Sequence, residues 1–142
     1  MVILGIDPAL AVSGYGVIEV SKKTMCLQEA GIIKTRAQDK TEIRLKTIYS
    51  AVVKLIEETK PAVAVLEKVF VHHSHTTTAF LLGQARGVIS CACANANVPI
   101  IEYAATHVKK AIVGKGLASK YQVQHAVLKT LSINEVPAFS DV

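Results

Sequence analysis

Two short apolar runs, Val2–Ile6 and Ala62–Leu66, each stop on a carboxylate, Asp7 after the first and Glu67 after the second. A run of this kind reads as a strand covered on both faces. Between them, Leu45, Ile48, Val52 and Leu55 recur at helical spacing, with charged residues elsewhere on the wheel. That pattern predicts an amphipathic helix over about 41–59, with Thr41 as its N-cap and Pro61 ending the segment. A strand, a long helix and a second strand make a crossover, which favours parallel pairing of the two runs. Asp7 and Glu67 then end neighbouring strands on one sheet edge, where open α/β sheets bind ligands. Paired carboxylates there suit a hard cation such as Mg²⁺.

The remaining chain fits around this unit. Gly14–Val20 reads as a strand returning antiparallel to the first, and residues 25–35 as a third strand of a meander. A second helix is expected from Thr76 to about Asn97, capped by Thr76, Thr77 or Thr78. Its Ala79, Gly83, Gly87 and Cys91 form a four-spaced ridge of small residues, read first as packing on the sheet and second as a dimer face. Val98–Tyr103 is a fifth strand. A short helix over 106–113, a Gly114-Lys115-Gly116 turn and an amphipathic helix over 119–131, with Val123, Val127, Leu128 and Leu131 inward, follow. The expected fold is α/β: a mixed five-stranded sheet, an antiparallel meander plus two parallel strands, with helices on both faces and the first strand central. Residues 1–142 read as one domain, a length that supports a full core.

Composition narrows the functional classes. Hydrophobic residues make up 51% of the chain and charged residues only 19%, which excludes a disordered protein. The net charge is +5. Basic charge around a small acidic centre suits a polyanionic substrate, although modest basicity also serves solubility alone. Cys26, Cys91 and Cys93 are odd in number and lack C-x-x-C spacing, so all three are expected to be small buried hydrophobes in a reducing compartment. No signal peptide is visible, and the apolar stretch over 79–98 is interrupted by Gln84, Arg86, Asn95 and Asn97. A cytoplasmic location is expected.

Each candidate residue has a plainer alternative. Asp7-Pro8 is also a common turn start. Glu67 at a buried strand end costs desolvation unless paired, and the alternative to a metal is a distant lysine. Val69-Phe70 is either core or a surface that stacks on an unpaired base. The His72-His73-Ser74-His75 cluster is too tightly spaced for a tetrahedral zinc set and reads as a polar loop. Lys109, Lys110, Lys115 and Lys120 form either a solvated face or a series of phosphate contacts. The P-loop pattern is absent.

Taken together, these segments resemble the RuvC-type Holliday junction resolvases (crossover junction endodeoxyribonucleases). Gly5-Ile6-Asp7-Pro8 with Gly14-Tyr15-Gly16-Val17-Ile18 is similar to the family's opening. Glu67-Lys68-Val69-Phe70 is similar to its E-x-V-F segment, and Leu82-Gly83-Gln84-Ala85-Arg86-Gly87 to its LGQARG helix. Glu102-Tyr103-Ala104-Ala105, Val108-Lys109, Val113-Gly114, Lys120 and Gln122-Val123-Gln124-His125 continue the match in order. The resemblance implies an RNase H-like fold and a homodimeric endonuclease. Its substrate would be four-way DNA junctions formed in recombination and repair, and a branch-migration helicase complex of the RuvA/RuvB type would be its partner. It implies Asp7, Glu67 and Asp141 as ligands to two Mg²⁺ ions, with Mn²⁺ as a substitute. Lys120 becomes a further catalytic group near the scissile phosphate, and Phe70, Arg86, Lys109, Lys115 and Lys120 become DNA contacts.

Two departures qualify the resemblance. Pro8-Ala9 stands where the family has Pro-Gly, a strained choice if that position needs φ > 0. The chain also reaches only Asp141-Val142 of a closing D-x-x-D-A-L motif, so the family's last helix and fourth carboxylate are expected to be lacking. A catalytically weak junction-binding protein is therefore the second reading. A third, half of an actin-like phosphotransferase, needs two such domains and a nucleotide site that 142 residues do not hold.

Overall fold

The computed structural model describes residues 1–68 and 76–133. β1 (Val2–Asp7), β2 (Val12–Val20) and β3 (Met25–Lys34) form an antiparallel meander. α1 (Thr41–Thr59) crosses over to β4 (Val63–Glu67), and α2 (Thr76–Asn95) leads to β5 (Ile100–Tyr103). α3 (Ala105–Val113) and α4 (Lys120–Thr130) follow. The sheet order is β3-β2-β1-β4-β5, with β1 in the centre and both β1–β4 and β4–β5 parallel. This is the mixed five-stranded sheet expected from the sequence.

Strand alternation sorts the side chains. Leu4, Ile6, Val17, Ala64 and Leu66 are buried on one face. They form a single core with Ile48, Val52, Leu55 and Ile56 of α1 and Ala85, Ile89, Ala92 and Cys93 of α2. Because successive strand residues face opposite ways, Asp7 and Glu67 belong to the other face, with the half-buried Ile3, Gly5, Val63 and Val65.

Several local expectations are corrected. Thr41 is the first helical residue of α1, not its cap; the N-cap position is Lys40, which makes no side-chain capping bond. β2 begins at Val12, two residues before the expected start at Gly14, because Val12 pairs with Lys34 and Ser13 with Ile33. The small-residue ridge of α2 does not face the sheet. Gly83, Gly87 and Cys91 are exposed, and a Cβ built on either glycine meets nothing within 4 Å. The helix turns its Ala85, Ile89, Ala92 and Cys93 side inward instead. Of the cysteines only Cys93 is buried: Cys91 follows the exposed ridge, and Cys26 lies exposed on the outer strand β3. On α4 the four residues expected inward are half-buried, and neither α3 nor α4 contains a fully buried residue.

The turn after β1 is fastened from two sides. Ser13, fully buried, accepts a hydrogen bond from the Ala9 amide (3.0 Å) and donates from its hydroxyl to the Ala9 carbonyl (2.7 Å). Thr35, also buried, donates to the Leu10 carbonyl (2.6 Å) and accepts from the Arg44 guanidinium (2.9 Å). Ala9 is not among the described residues with positive φ, which outside glycine are Lys60, Asn97 and Ser132. Alanine therefore fits this position without strain.

Candidate metal and nucleic-acid site

The parallel register of β1 and β4 runs from Ile3 opposite Val63 to Ile6 opposite Leu66. One step further, Asp7 and Glu67 occupy matching positions on strands about 4.8 Å apart. They share a face, and both are exposed at the rim. Neighbouring protein strips part of the hydration of Asp7, and this desolvation pushes its carboxyl above the ordinary carboxylate value. The described ion pairs join Arg36 to Asp39, Lys54 to Glu58 and Arg86 to Glu102, so neither Asp7 nor Glu67 takes part in one. Two adjacent carboxylates without an ion-pair partner among the described residues are an oxygen donor set of the kind that holds hard divalent cations. Among the described residues no group of three His, Cys, Asp or Glu side chains comes together. Asp141, Phe70 and the His72–His75 cluster lie outside the described residues.

Arg86 departs from its expected position. Its side chain is only 16% exposed, and its guanidinium is already engaged. One nitrogen donates to the Glu67 carbonyl (2.5 Å), and the other forms a close ion pair with Glu102. Within the protein, the Arg86 guanidinium is thus engaged at the sheet edge. Sequence reading also passed over Glu102 as a site residue. The signal was present: Ile100 and Ile101 run into Glu102, one residue before the end of β5, much as the first two apolar runs end on Asp7 and Glu67.

The lysines expected to contact DNA lie on the following helices and the turn between them. β5 ends beside β4, with Glu67 opposite Tyr103 and the Lys68 amide donating to the Tyr103 carbonyl (2.8 Å). α3 begins two residues after that edge. Its Lys109 is half-buried, while Lys115 in the following turn and Lys120 at the first position of α4 are exposed. Tyr103 and His107 rings lie 5.7 Å apart, bracing the start of α3 against β5. Ser119 caps α4 in a reciprocal capping box with Gln122, which sets the position from which Lys120 projects.

A family model described as crossover junction endodeoxyribonuclease RuvC matches residues 3–142. The chain belongs to the RuvC family. It is 42% identical over 140 residues to the crossover junction endodeoxyribonuclease RuvC of Rhodopirellula baltica, covering 99% of this chain and 79% of that protein. Its counterpart in Burkholderia thailandensis is 45% identical over 137 residues, covering 96% of this chain and 75% of that one. The structure of Thermus thermophilus RuvC in complex with a Holliday junction substrate superposes with a TM-score of 0.92 at 30% identity, over 99% of this chain and 85% of that chain. The RuvC fold is RNase H-like, as the family resemblance implied. No described helix is long and apolar enough to cross a membrane.

Proposed function

We propose that this RuvC-family chain is a structure-selective endonuclease that resolves four-way DNA junctions by metal-dependent phosphodiester hydrolysis, with residues 1–142 acting as one nuclease domain. The match of the family model along residues 3–142 carries this reading. The paired carboxylates supply its chemistry. When bound, two Mg²⁺ or Mn²⁺ ions stabilise the charge that builds on the attacked phosphate and its attacking and leaving oxygens. Asp7, on the central strand, and Glu67 beside it would hold the ions, with Asp141 a further ligand on sequence grounds alone. Asp7 must be ionised to bind, so its raised pKa means that metal loading weakens as the pH falls.

Lys109, Lys115 and Lys120 contribute cationic charge for the DNA backbone, and Lys120 adds charge stabilisation near the phosphate that is cut. Phe70 is read as stacking on an unpaired base at the junction centre. The exposed Gly83–Gly87–Cys91 ridge of α2 supports a homodimer, since small residues let two helices approach closely. A two-fold dimer would present two sites to a two-fold junction.

The test is cleavage of a synthetic four-way junction with Mg²⁺ at protein concentrations that saturate it. Paired symmetric nicks are expected. Saturated binding without nicking would overturn the nuclease reading.

A further inference from the structure

We propose that Arg86 is a positioning residue for the carboxylate site: it fixes the end of β4, and with it the direction of Glu67, by bridging the Glu67 carbonyl to the Glu102 carboxylate. This inference rests on the reading of Glu67 as a metal ligand.

Glu67 is the last residue of β4; the Lys68 amide after it still bonds the Tyr103 carbonyl, while the Glu67 carbonyl is taken by a side chain. The orientation of its peptide plane sets the Cα–Cβ direction, and so where its carboxylate points. The Glu67 carbonyl is held at 2.5 Å by Arg86 Nη1, while Nη2 of the same guanidinium pairs with Glu102. The two acceptors come from different strands, and the donor comes from α2, whose Ala85 and Ile89 are fully buried. One planar group thus ties the ends of β4 and β5 to a helix anchored in the core.

Glu102 completes the device. It lies opposite Leu66 in the parallel register, one step before the Glu67–Tyr103 pair. Its charge holds the guanidinium in the one orientation that also reaches the carbonyl. Glu102 lies on the core face with Leu66, the side from which α2 reaches the sheet, and so meets the guanidinium away from the face that carries the Glu67 carboxylate. Lysine cannot substitute, because an ammonium is a point charge and lacks the rigid fork that serves two acceptors in fixed directions.

The test measures Mn²⁺ binding to the metal-free protein by calorimetry, junction binding in EDTA, and thermal unfolding, for Arg86→Lys, Arg86→Gln, Glu102→Gln and Glu67→Gln. Arg86→Lys and Arg86→Gln should weaken Mn²⁺ binding by about 10-fold or more, the cost typical of losing a group that orients a metal ligand. Glu102→Gln, which keeps a neutral acceptor, should weaken it less and in the same direction. Junction binding in EDTA should stay within about 2-fold, because the guanidinium is turned to the sheet edge. If Arg86→Gln does not fold, Arg86→Lys and Glu102→Gln carry the test. Unchanged Mn²⁺ affinity in those two, with affinity lost in Glu67→Gln, would overturn the positioning role alone. Unchanged affinity in Glu67→Gln would instead overturn the ligand reading beneath it. Weaker junction binding in EDTA with intact Mn²⁺ affinity would make Arg86 a DNA contact and overturn the proposal.

Discussion

The β1–β4 edge and the α3–α4 pair are built to opposite specifications. Asp7 and Glu67 end strands whose Leu4, Ile6, Ala64 and Leu66 are buried in the main core. α3 and α4 contain no fully buried residue, and their apolar side chains are at best half covered. The carboxylates therefore stand at the end of strands packed into the core, and the lysines on helices that are lightly buried. The roles proposed for the two regions fit this difference. Metal ligands must hold a fixed geometry, whereas phosphate contacts act through charge and tolerate adjustment.

The sharpest way to break this contrast is to remove a carboxylate. Asp7→Asn or Glu67→Gln should lower junction cleavage by about 10³-fold or more, the several kcal/mol that metal-held charge stabilisation supplies. Junction binding in EDTA should persist, as read by gel shift. Equal loss of binding and cutting would mean that the rim carboxylates support the fold and not the metal. Next in size is the contrast in packing. Leu66→Ala should destabilise the protein by roughly 2–5 kcal/mol in denaturant unfolding, whereas Val127→Ala on α4 should cost about 1 kcal/mol. Similar costs would show that α4 is as firmly built in as the sheet.

The lysines give a smaller and differently shaped effect. Lys109→Ala or Lys115→Ala should weaken binding to all junction sequences alike and reduce the slope of log affinity against log salt by about 1 each. A change in sequence preference without a change in slope would contradict a backbone contact. The smallest effect concerns pH. Desolvation raises the folded-state pKa of Asp7, so the folded state holds the proton more tightly than the unfolded chain. This group's contribution to stability is full below the ordinary aspartate value and is lost as pH rises through the raised one. In metal-free buffer, Asp7→Asn should therefore melt higher than the parent at neutral pH, and the gap should close toward pH 3. A gap that widens in acid would refute the desolvation.

Much of the sheet edge was legible in the sequence because its signals are local and redundant. The bounds of α1, Thr41–Thr59, follow from a clean 3.6-residue stripe with Pro61 beyond it. The crossover it makes then forces β1 and β4 parallel, and the equal lengths of their apolar runs bring Asp7 beside Glu67. α2 was harder to read because it is apolar on more than one side. Its four-spaced small residues and its Ala85–Ile89–Ala92–Cys93 face are both plausible inward stripes, and only the sheet decides between them. The double duty of Arg86 was hidden for a related reason. A charged residue in a helix looks solvent-bound until β4 and β5 bring a carbonyl and a carboxylate to its tip. Glu102 repeated the pattern already noticed twice, but β5 is four residues long and gave too short a run to stand out.

The Ser13 hydroxyl changes what kind of variation the chain can absorb next to its central carboxylate. By bonding both the amide and the carbonyl of Ala9, it closes the loop after Asp7 with a side chain where backbone freedom would otherwise be needed. Residue 9 is thereby released from any demand for glycine, and the demand moves to residue 13. That position must be small enough to vanish into the interior and must carry one hydroxyl that both gives and receives. A residue with no reactive role thus inherits the strictest chemical specification in the loop, and the shape of the site is secured at a distance from its chemistry.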